Sequence, residues 1–479
     1  MCGISAYWGK REANSIVLQG LQKLEYRGYD SWGIAALASG KISIEKNIGR
    51  ISDAKISLPD SNTAIGHTRW ATHGTVTKEN AHPHTSCSGE IAIVHNGIIE
   101  NYVELKLGLS AAGHKFASET DSEVIAHLAE DFVKKGLSFE DAVKKTCDSL
   151  QGTFAIIFLS TKSNMLIAVR KGSPLVIGLG AGENFAASDV TAFIDSTKRV
   201  MFLDDNEIAF IGEKVEVENF STGKKVKKEV SKIEWDAEQA EKQGFKHFML
   251  KEIMEQPEAI KKCLQGRVNS EEISLEELAP FKEKLEQINR VVVIACGTSW
   301  HAGLISEYFF EELCKIPTEV EYAAEFRYRN PIVDEKTLVV AISQSGETAD
   351  TLAALREAKK KGSLVVSICN VMGSTIARES NVTIYTRAGP EIGVASTKAF
   401  TTQLAVLFIL ALKLAFLKGA VDEKKSAEVI NALNEIPTKM QATLEKIDSV
   451  KAVAGEYWEK PNALYLGRGY NYPIALEGA

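Results

Sequence analysis

A cysteine directly behind the initiator methionine, in Met1-Cys2-Gly3, is the first feature of this sequence that could do chemistry. Met1 followed by a small residue can be removed, leaving Cys2 with a free α-amine. A thiol of pKa about 8.5 beside an α-amine of about 7.7–8.0 puts a nucleophile and a matched base on one residue, with no histidine required. A cysteine in second place can also be an accident of composition, so the weight falls on what accompanies it. Leu24–Ser31 packs charge, aromatics and Gly28 into a turn. His67-Thr68-Arg69-Trp70-Ala71-Thr72-His73-Gly74 concentrates polar donors, and a planar arginine fork is the expected partner of a substrate carboxylate. His95-Asn96-Gly97 follows the apolar strand Ile91–Val94; an amide and a glycine N–H at a strand end are the parts of an oxyanion hole. Ser118-Glu119-Thr120-Asp121 offers a carboxylate at a helix start, where simple N-capping explains it equally well.

The C-terminal half carries a different chemistry. Ser343-Gln344-Ser345-Gly346-Glu347-Thr348 lies between an apolar strand and a helix. Its hydroxyls, its glycine and the helix N-terminal N–H groups make a neutral phosphate cradle at the carboxyl end of a parallel strand. Thr298 and Ser299 repeat the arrangement one strand away, which makes capping alone a poorer account of both. No P-loop signature is present, so a nucleoside triphosphate is not indicated. His82 and His84 flank Pro83 among nine histidines, but no HExxH or comparable ligand spacing exists, and no metal or cofactor is expected. Gly178-Leu179-Gly180-Ala181-Gly182 lacks dinucleotide-binding spacing and reads as a tight turn.

These groups need elements to position them. Residues 1–240 read as short strands and turns with helices at Val17–Leu24 and Glu119–Lys135, the latter starting near Ser118 and Thr120: a layered α+β domain. Lysine-rich Thr222–Ser231 marks the boundary, with 241–284 a linker and lead-in helices. From 285 to 440, Val291–Ala295, Leu338–Ile342 and Leu364–Cys369 are apolar strands without alternation, each followed by a loop or helix. This predicts an α/β doubly wound parallel sheet. Ala463–Leu466 reads as another such strand, and residues 441–479 as the start of a further domain that ends inside its helix, as in a truncated chain.

At 479 residues the chain is too long for one core. A net charge of −7 argues against nucleic acid as a partner. The seven scattered cysteines form no CxxC pair, which fits a reducing, cytoplasmic compartment. No signal peptide is visible, and the apolar run Leu404–Leu412 reads as a buried helix rather than a membrane span.

Cys2-Gly3-Ile4, Leu24–Ser31, His67–Gly74, Asn80–His84, His95–Asn101 and Ser118–Asp121 occur in this order, followed by Ser173–Gly178, Arg327, Ser343–Thr348 and Glu391–Gln403. Together they resemble the glutamine–fructose-6-phosphate aminotransferase (isomerizing) family along essentially the whole chain. The resemblance implies an N-terminal-nucleophile glutaminase domain of layered αββα type, followed by sugar isomerase domains. It implies that Cys2 attacks the glutamine amide, that Asn96 and Gly97 hold the oxyanion, and that Arg69 and Asp121 bind the α-carboxylate and α-amine. Thr72 and His73 would line the pocket, and Trp70 would gate ammonia. Thr298, Ser299, Ser343, Gln344, Ser345 and Thr348 would bind fructose 6-phosphate, with Val394 and Ser396 touching the sugar. A homodimer is implied as well. The family's isomerase acid/base residues fall after Ala479, so residues 1–479 alone are expected to hydrolyse glutamine poorly and to make no amino sugar.

Two other readings compete. An amidotransferase making phosphoribosylamine would need an acidic pair beside a Gly/Thr phosphate loop, and the sequence has none. A sugar-phosphate sensor with an inert first domain would have no use for Cys2, Arg69, Asn96 and Asp121 together.

Overall fold

The computed structural model describes all residues except Met1, Asp53, Thr72, 234–241 and 270–271. Two compact units divide the chain, Met1–Ala237 and Glu238–Ala479.

Strands of the first unit are β1 (Gly3–Trp8), β2 (Ser31–Ala38), β3 (Lys41–Ile48), β4 (Thr63–Arg69), β5 (His84–Thr85), β6 (Ile91–Ile99) and β7 (Gly152–Ser160). They continue with β8 (Leu166–Lys171), β9 (Val176–Leu179), β10 (Asn184–Ala187), β11 (Arg199–Phe202), β12 (Glu207–Ile211), β13 (Val215–Asn219) and β14 (Ser231–Lys232). Two antiparallel sheets result, ordered β14-β11-β9-β10-β1-β4-β2-β3 and β13-β12-β8-β7-β6-β5.

The two-residue period of a strand decides which side chain enters which layer. In β1, Ile4 and Ala6 join Ala92, Val94, Ala155 and Ile157 of the other sheet in one core between the sheets. Tyr7 of the same strand turns instead towards α1 (Ala13–Lys23), where Val17 and Leu21 complete a second core. On the far side, Ile91, Ile93 and Ile99 of β6 pack against α2 (Tyr102–Ala111), α3 (Glu123–Lys134) and α4 (Phe139–Ser149). The layers are helix, sheet, sheet, helix, as the layered αββα expectation has it.

Two local expectations change. The helix expected from Glu119 begins at Glu123, because that carboxylate turns back on the preceding stretch. It accepts from the Ala117 N–H at 2.8 Å and from the Ser118 N–H and hydroxyl at 2.7 Å each, which leaves Ser118 and Thr120 outside the helix. And Asn96-Gly97 lies within β6, not beyond its end, because β6 stays paired with β7 as far as Ile99. Gly97 makes that possible: its φ is +137°, and a Cβ there would sit 2.0 Å from the Thr153 carbonyl oxygen.

The second unit is built on a parallel sheet of β15 (Arg290–Ala295), β16 (Thr318–Tyr322), β17 (Thr337–Ser343), β18 (Leu364–Cys369) and β19 (Val382–Tyr385), ordered β16-β15-β17-β18-β19. Helices cover both faces, so the strands are apolar without alternation. On one face Val291, Val293 and Val340 meet α5 (Phe248–Leu264), α6 (Lys282–Gln287), α7 (Thr298–Phe309) and, in a later segment of chain, the long helix Lys398–Leu417. On the other, Val292, Ile294 and Val339 meet α8 (Ala323–Tyr328), α9 (Ala349–Lys360) and α10 (Thr375–Glu379).

The helix Lys398–Leu417, α11, is longer than the apolar run suggests, and by length and composition it could cross a membrane. Its apolar window is 67% buried inside the unit, which makes it the central core helix. Residues 241–284 contain α5, whose Ile260, Cys263 and Leu264 belong to the same core. Ala463–Leu466 forms no strand: Leu464 and Leu466 are 90% and 88% exposed, and among the described residues no strand pairs with them.

Leu410 is fully buried in α11. Leu410→Ala should cost the second unit about 2–5 kcal/mol in denaturant unfolding, with little effect on the first unit's transition.

Candidate active site

Cys2 is fixed by the sheet that starts immediately after it. β1 lies between β10 and β4, so Gly3 is paired with Thr68 and the cysteine is carried to the end of β4, beside Trp70. The Trp70 N–H points at Cys2 Sγ at 3.3 Å, and the thiol approaches the Trp70 carbonyl at 3.5 Å. Two further donors hold the Cys2 carbonyl: Asn96 Nδ2 at 3.0 Å and Arg27 Nε at 3.2 Å. Burial pushes the Cys2 thiol up, against the Trp70 N–H, which pulls it down. The net direction favours the neutral thiol over the thiolate. Among the described residues its hydrogen-bond partners are Trp70 backbone groups, with no imidazole.

Asn96 is oriented from behind. His67 Nε2 lies 2.9 Å from Asn96 Oδ1 and 3.0 Å from the His95 carbonyl oxygen, so it carries the proton and donates to both acceptors. That fixes the amide with its NH2 towards Cys2. His67 stacks on His82 at 4.1 Å; His82 Nδ1 accepts from the His95 N–H at 3.2 Å. His84 meets Thr120 at 3.0 Å and His95 meets Ser122 at 2.8 Å. Burial lowers the pKa of all four rings, His67 to about 3. They form a neutral polar wall.

Arg69 ends β4, buried, and spends part of its guanidinium on the next turn. Nη2 donates to the His73 carbonyl at 2.6 Å and to the Gly74 carbonyl at 3.1 Å, and Nη1 to the Thr75 carbonyl at 3.2 Å. Asn80 joins the Thr75 carbonyl, at 3.0 Å, to Glu119, whose N–H it accepts at 2.9 Å. Asp121 is buried, and its Oδ2 accepts the Ile99 N–H at 2.8 Å. His73 packs edge-on to Tyr102 at 5.7 Å. Trp70 is half exposed, edge-on to Tyr29 at 5.1 Å. Thr72 lies outside the described residues.

In the second unit the strand order reverses between β15 and β17, the switch point where open α/β sheets bind ligands. Thr298 and Ser299 open α7 after β15, and Ser343–Thr348 connects β17 to α9. The Gly346 N–H bonds Ser343 Oγ at 3.0 Å, Ser343 and Thr348 hydroxyls lie 3.0 Å apart, and the Glu347 N–H bonds Ser345 Oγ at 3.2 Å. Gly346 has φ +65°, and a Cβ there would strike Ser374 Oγ at 1.9 Å. Glu347 turns away from the cradle and accepts the Thr375 N–H at 2.8 Å, clamping the loop to α10. Gln344 contributes its carbonyl to the Asn370 N–H at 3.1 Å. Thr298 Oγ1 donates to Glu477 at 2.8 Å, and Ser299 Oγ accepts from Gln403 at 3.1 Å, so both hydroxyls already have protein partners. Val394 is 90% exposed on a loop held by two carboxylates. Glu391 accepts from Ser396 Oγ and the Thr397 N–H at 2.9 Å each, and Glu252 accepts the Ile392 N–H at 2.6 Å.

The structure thus joins Cys2, Asn96 and Trp70 directly, with Arg69 at the end of the adjacent strand. Spacing alone did not single out His67, Glu347, Glu391 or Glu252. Each acts by fixing another group, a role that the runs containing His67, Glu347 and Glu391 do not reveal, and Glu252 lies outside any of them.

Residues 1–246 match the glutamine amidotransferase domain family and residues 284–413 the SIS domain family, so the chain is a glutamine amidotransferase fused to a SIS domain. A curated relative from Caldanaerobacter subterraneus subsp. tengcongensis, named glutamine–fructose-6-phosphate aminotransferase (isomerizing), is 48% identical over 486 residues. These cover 100% of this chain and 79% of the relative. One of the same name from Aquifex aeolicus is 50% identical, with the same coverages. A solved C-terminal domain of glucosamine-fructose-6-phosphate aminotransferase from Francisella tularensis is 43% identical, covering 50% of this chain and 67% of that one, with a TM-score of 0.48. This chain belongs to the glutamine–fructose-6-phosphate aminotransferase (isomerizing) family.

The histidine wall makes a prediction about acid. Each ring is neutral when folded and takes up a proton near pH 6.5 when unfolded, so its contribution to stability is present above about 6.5 and is lost as pH falls below it. Unfolding free energy measured between about pH 6.5 and 5 should fall by more than about 1 kcal/mol per pH unit; rings already protonated in the native state would leave it flat.

Proposed function

We propose that this chain is a glutamine-dependent amidotransferase of amino-sugar synthesis. Cys2 releases ammonia from L-glutamine, leaving glutamate, for transfer to fructose 6-phosphate in the synthesis of glucosamine 6-phosphate, and no residue of the two sites below is assigned the isomerising step. Residues 1–240 carry the first reaction, and residues 285–440 hold the sugar phosphate.

The half-buried thiol needs a base within reach, and the α-amine of Cys2, freed when Met1 is removed, supplies one on the same residue. Sulfur attacks the amide carbon while its proton passes to that amine. The amine returns the proton to the departing nitrogen, leaving a γ-glutamyl thioester that water opens. Negative charge on the amide oxygen is received by Asn96, held in orientation by His67, and by the Gly97 N–H. Arg69 binds the α-carboxylate with the guanidinium edge not committed to the 73–75 turn, and Asp121 binds the α-amine. Thr72 and His73 line the pocket, and Trp70 gates the ammonia.

In the second unit the phosphate enters the cradle of Ser343, Gln344, Ser345 and Thr348, held by hydroxyls, N–H groups and the α9 N-terminus, with no cation required. Thr298 and Ser299 exchange their present partners, Glu477 and Gln403, for sugar oxygens, and Val394 and Ser396 border the sugar. All seven cysteines are free, in keeping with a cytoplasmic enzyme. We include a homodimer in this reading.

What carries the reading is the meeting of Cys2, the Trp70 N–H and the Asn96 amide at one point, in a chain related over its full length to named aminotransferases. Cys2→Ala should lower glutamine hydrolysis by at least about 10³-fold, and Asn96→Ala should lower kcat by about 10²–10³-fold with a smaller change in KM. A glutaminase assay with and without fructose 6-phosphate decides it; hydrolysis unaffected by Cys2→Ala contradicts the reading. Thr348→Val should raise the fructose 6-phosphate concentration needed for half-maximal response about 5- to 10-fold.

A further inference from the structure

Away from Cys2, four side chains from three segments converge in the first unit. Cys87 stands in the turn between β5 and β6, His114 in the loop after α2, and His127 and Glu130 one turn apart on α3. Their ligand-type atoms all lie within 4.8 Å of one another. Cys87 Sγ is 3.7 Å from His114 Nδ1 and 3.4 Å from His127 Nδ1, the two Nδ1 atoms are 3.4 Å apart, and Glu130 Oε2 is 3.3 Å from His114 Nδ1.

Those separations have a chemical meaning. Zinc bonds of about 2.3 Å to sulfur and 2.0–2.2 Å to nitrogen and oxygen, at tetrahedral angles, put neighbouring ligand atoms about 3.3–3.6 Å apart. A hydrogen-bonded triangle explains them less well, because a thiol and two neutral imidazole nitrogens at mutual contact cannot all point protons at one another. Both histidines turn the same nitrogen to a single point, with a sulfur and a carboxylate oxygen completing the set.

The surroundings are those of a metal site too. His127 Nε2 lies 3.3 Å from Glu123 Oε1, a carboxylate that orients the ring, and His114 Nε2 lies 3.8 Å from Asp131 Oδ1. The Lys115 N–H meets Cys87 Sγ at 3.3 Å, and the Ser88 N–H meets Glu130 Oε1 at 2.8 Å. Lys134 Nζ shares Glu130 Oε2 at 2.9 Å; its side chain is 58% exposed, so it can share the oxygen or withdraw into solvent. His114, His127 and Glu130 are buried, while Cys87 is exposed and open to an arriving ion.

We propose that Cys87, His114, His127 and Glu130 form a tetrahedral site for one divalent transition-metal ion, zinc by preference. One sulfur, two nitrogens and one oxygen suit zinc better than magnesium or calcium, and four protein ligands leave no open position. The ion is structural. It ties the turn that leads into β6, and so to Asn96, to the loop between α2 and α3 that carries Asp121.

The test uses the full 479-residue chain. After chelator treatment, Co²⁺ should give the d–d bands of a tetrahedral ion with a thiolate-to-cobalt charge-transfer band, saturating near one metal per chain and displaced by Zn²⁺. Removing the metal should lower the thermal midpoint by about 5–10 °C. Cys87→Ser, at an exposed position that tolerates the change, should lose the charge-transfer band and most of that shift; Glu130→Gln should weaken cobalt binding. The proposal is overturned by a chain that binds no cobalt at stoichiometric metal, or by a cobalt spectrum unchanged in Cys87→Ser.

Discussion

The carbonyl and thiol of Cys2 are held by three donors from three different segments, and the first unit is arranged to keep that hold. Arg27 and Asn96 grip the carbonyl, and the Trp70 N–H meets the sulfur. Because β1 begins at the next residue and runs in the middle of its sheet, Cys2 inherits the rigidity of the ladder although it sits near the end of the chain. A cysteine on a loose terminus would lose the orientation that makes an amine on the same residue an effective base. The sandwich core supplies the rest. Asn96 comes two residues after Val94 in the alternation of β6, and Val94 faces the other sheet, so the amide is aimed across the sandwich towards β1.

The two units fix their working groups by opposite electrostatic means. Behind Cys2, four neutral histidines act as donors and acceptors with no net charge, so the charges that act on Cys2 come from elsewhere, Arg27, Asp30 and Arg69 among them. In the second unit, carboxylates shape the loops: Glu347, Glu252 and Glu391 each accept backbone N–H groups, which pins the 343–348 loop and the 391–397 segment. A neutral cradle at the switch point suits a ligand that must be held and released.

Much of this was legible in the sequence, for identifiable reasons. Short unalternating runs such as Val291–Ala295, each followed by a loop or helix, fit strands covered on both faces, and they point to the parallel sheet and its loops. Cys2, Arg69, Asn96, Asp121 and the Ser343–Thr348 loop stand out in the sequence because groups able to react or bind are dense around them, although Asn96 lies inside β6 and not at its end. Helix α3 was misjudged at its start because Glu123 folds back on Ser118, a contact that propensity does not encode. The Ala463–Leu466 run has strand composition but, among the described residues, no partner strand. The orienting role of His67 and the convergence of Cys87 with His114 and His127 arise from tertiary approach between segments tens of residues apart, so no local spacing announces them.

The central claim is that Cys2, as the mature first residue, is the group that attacks the glutamine amide. The direct measurement is mass mapping of the protein after exposure to an electrophilic glutamine analogue. One adduct should appear per chain, on a peptide that begins with Cys2 and lacks Met1, and excess glutamine should protect against it. Retention of Met1 on the labelled protein, or an adduct on another cysteine with Cys2 unmodified, would contradict it.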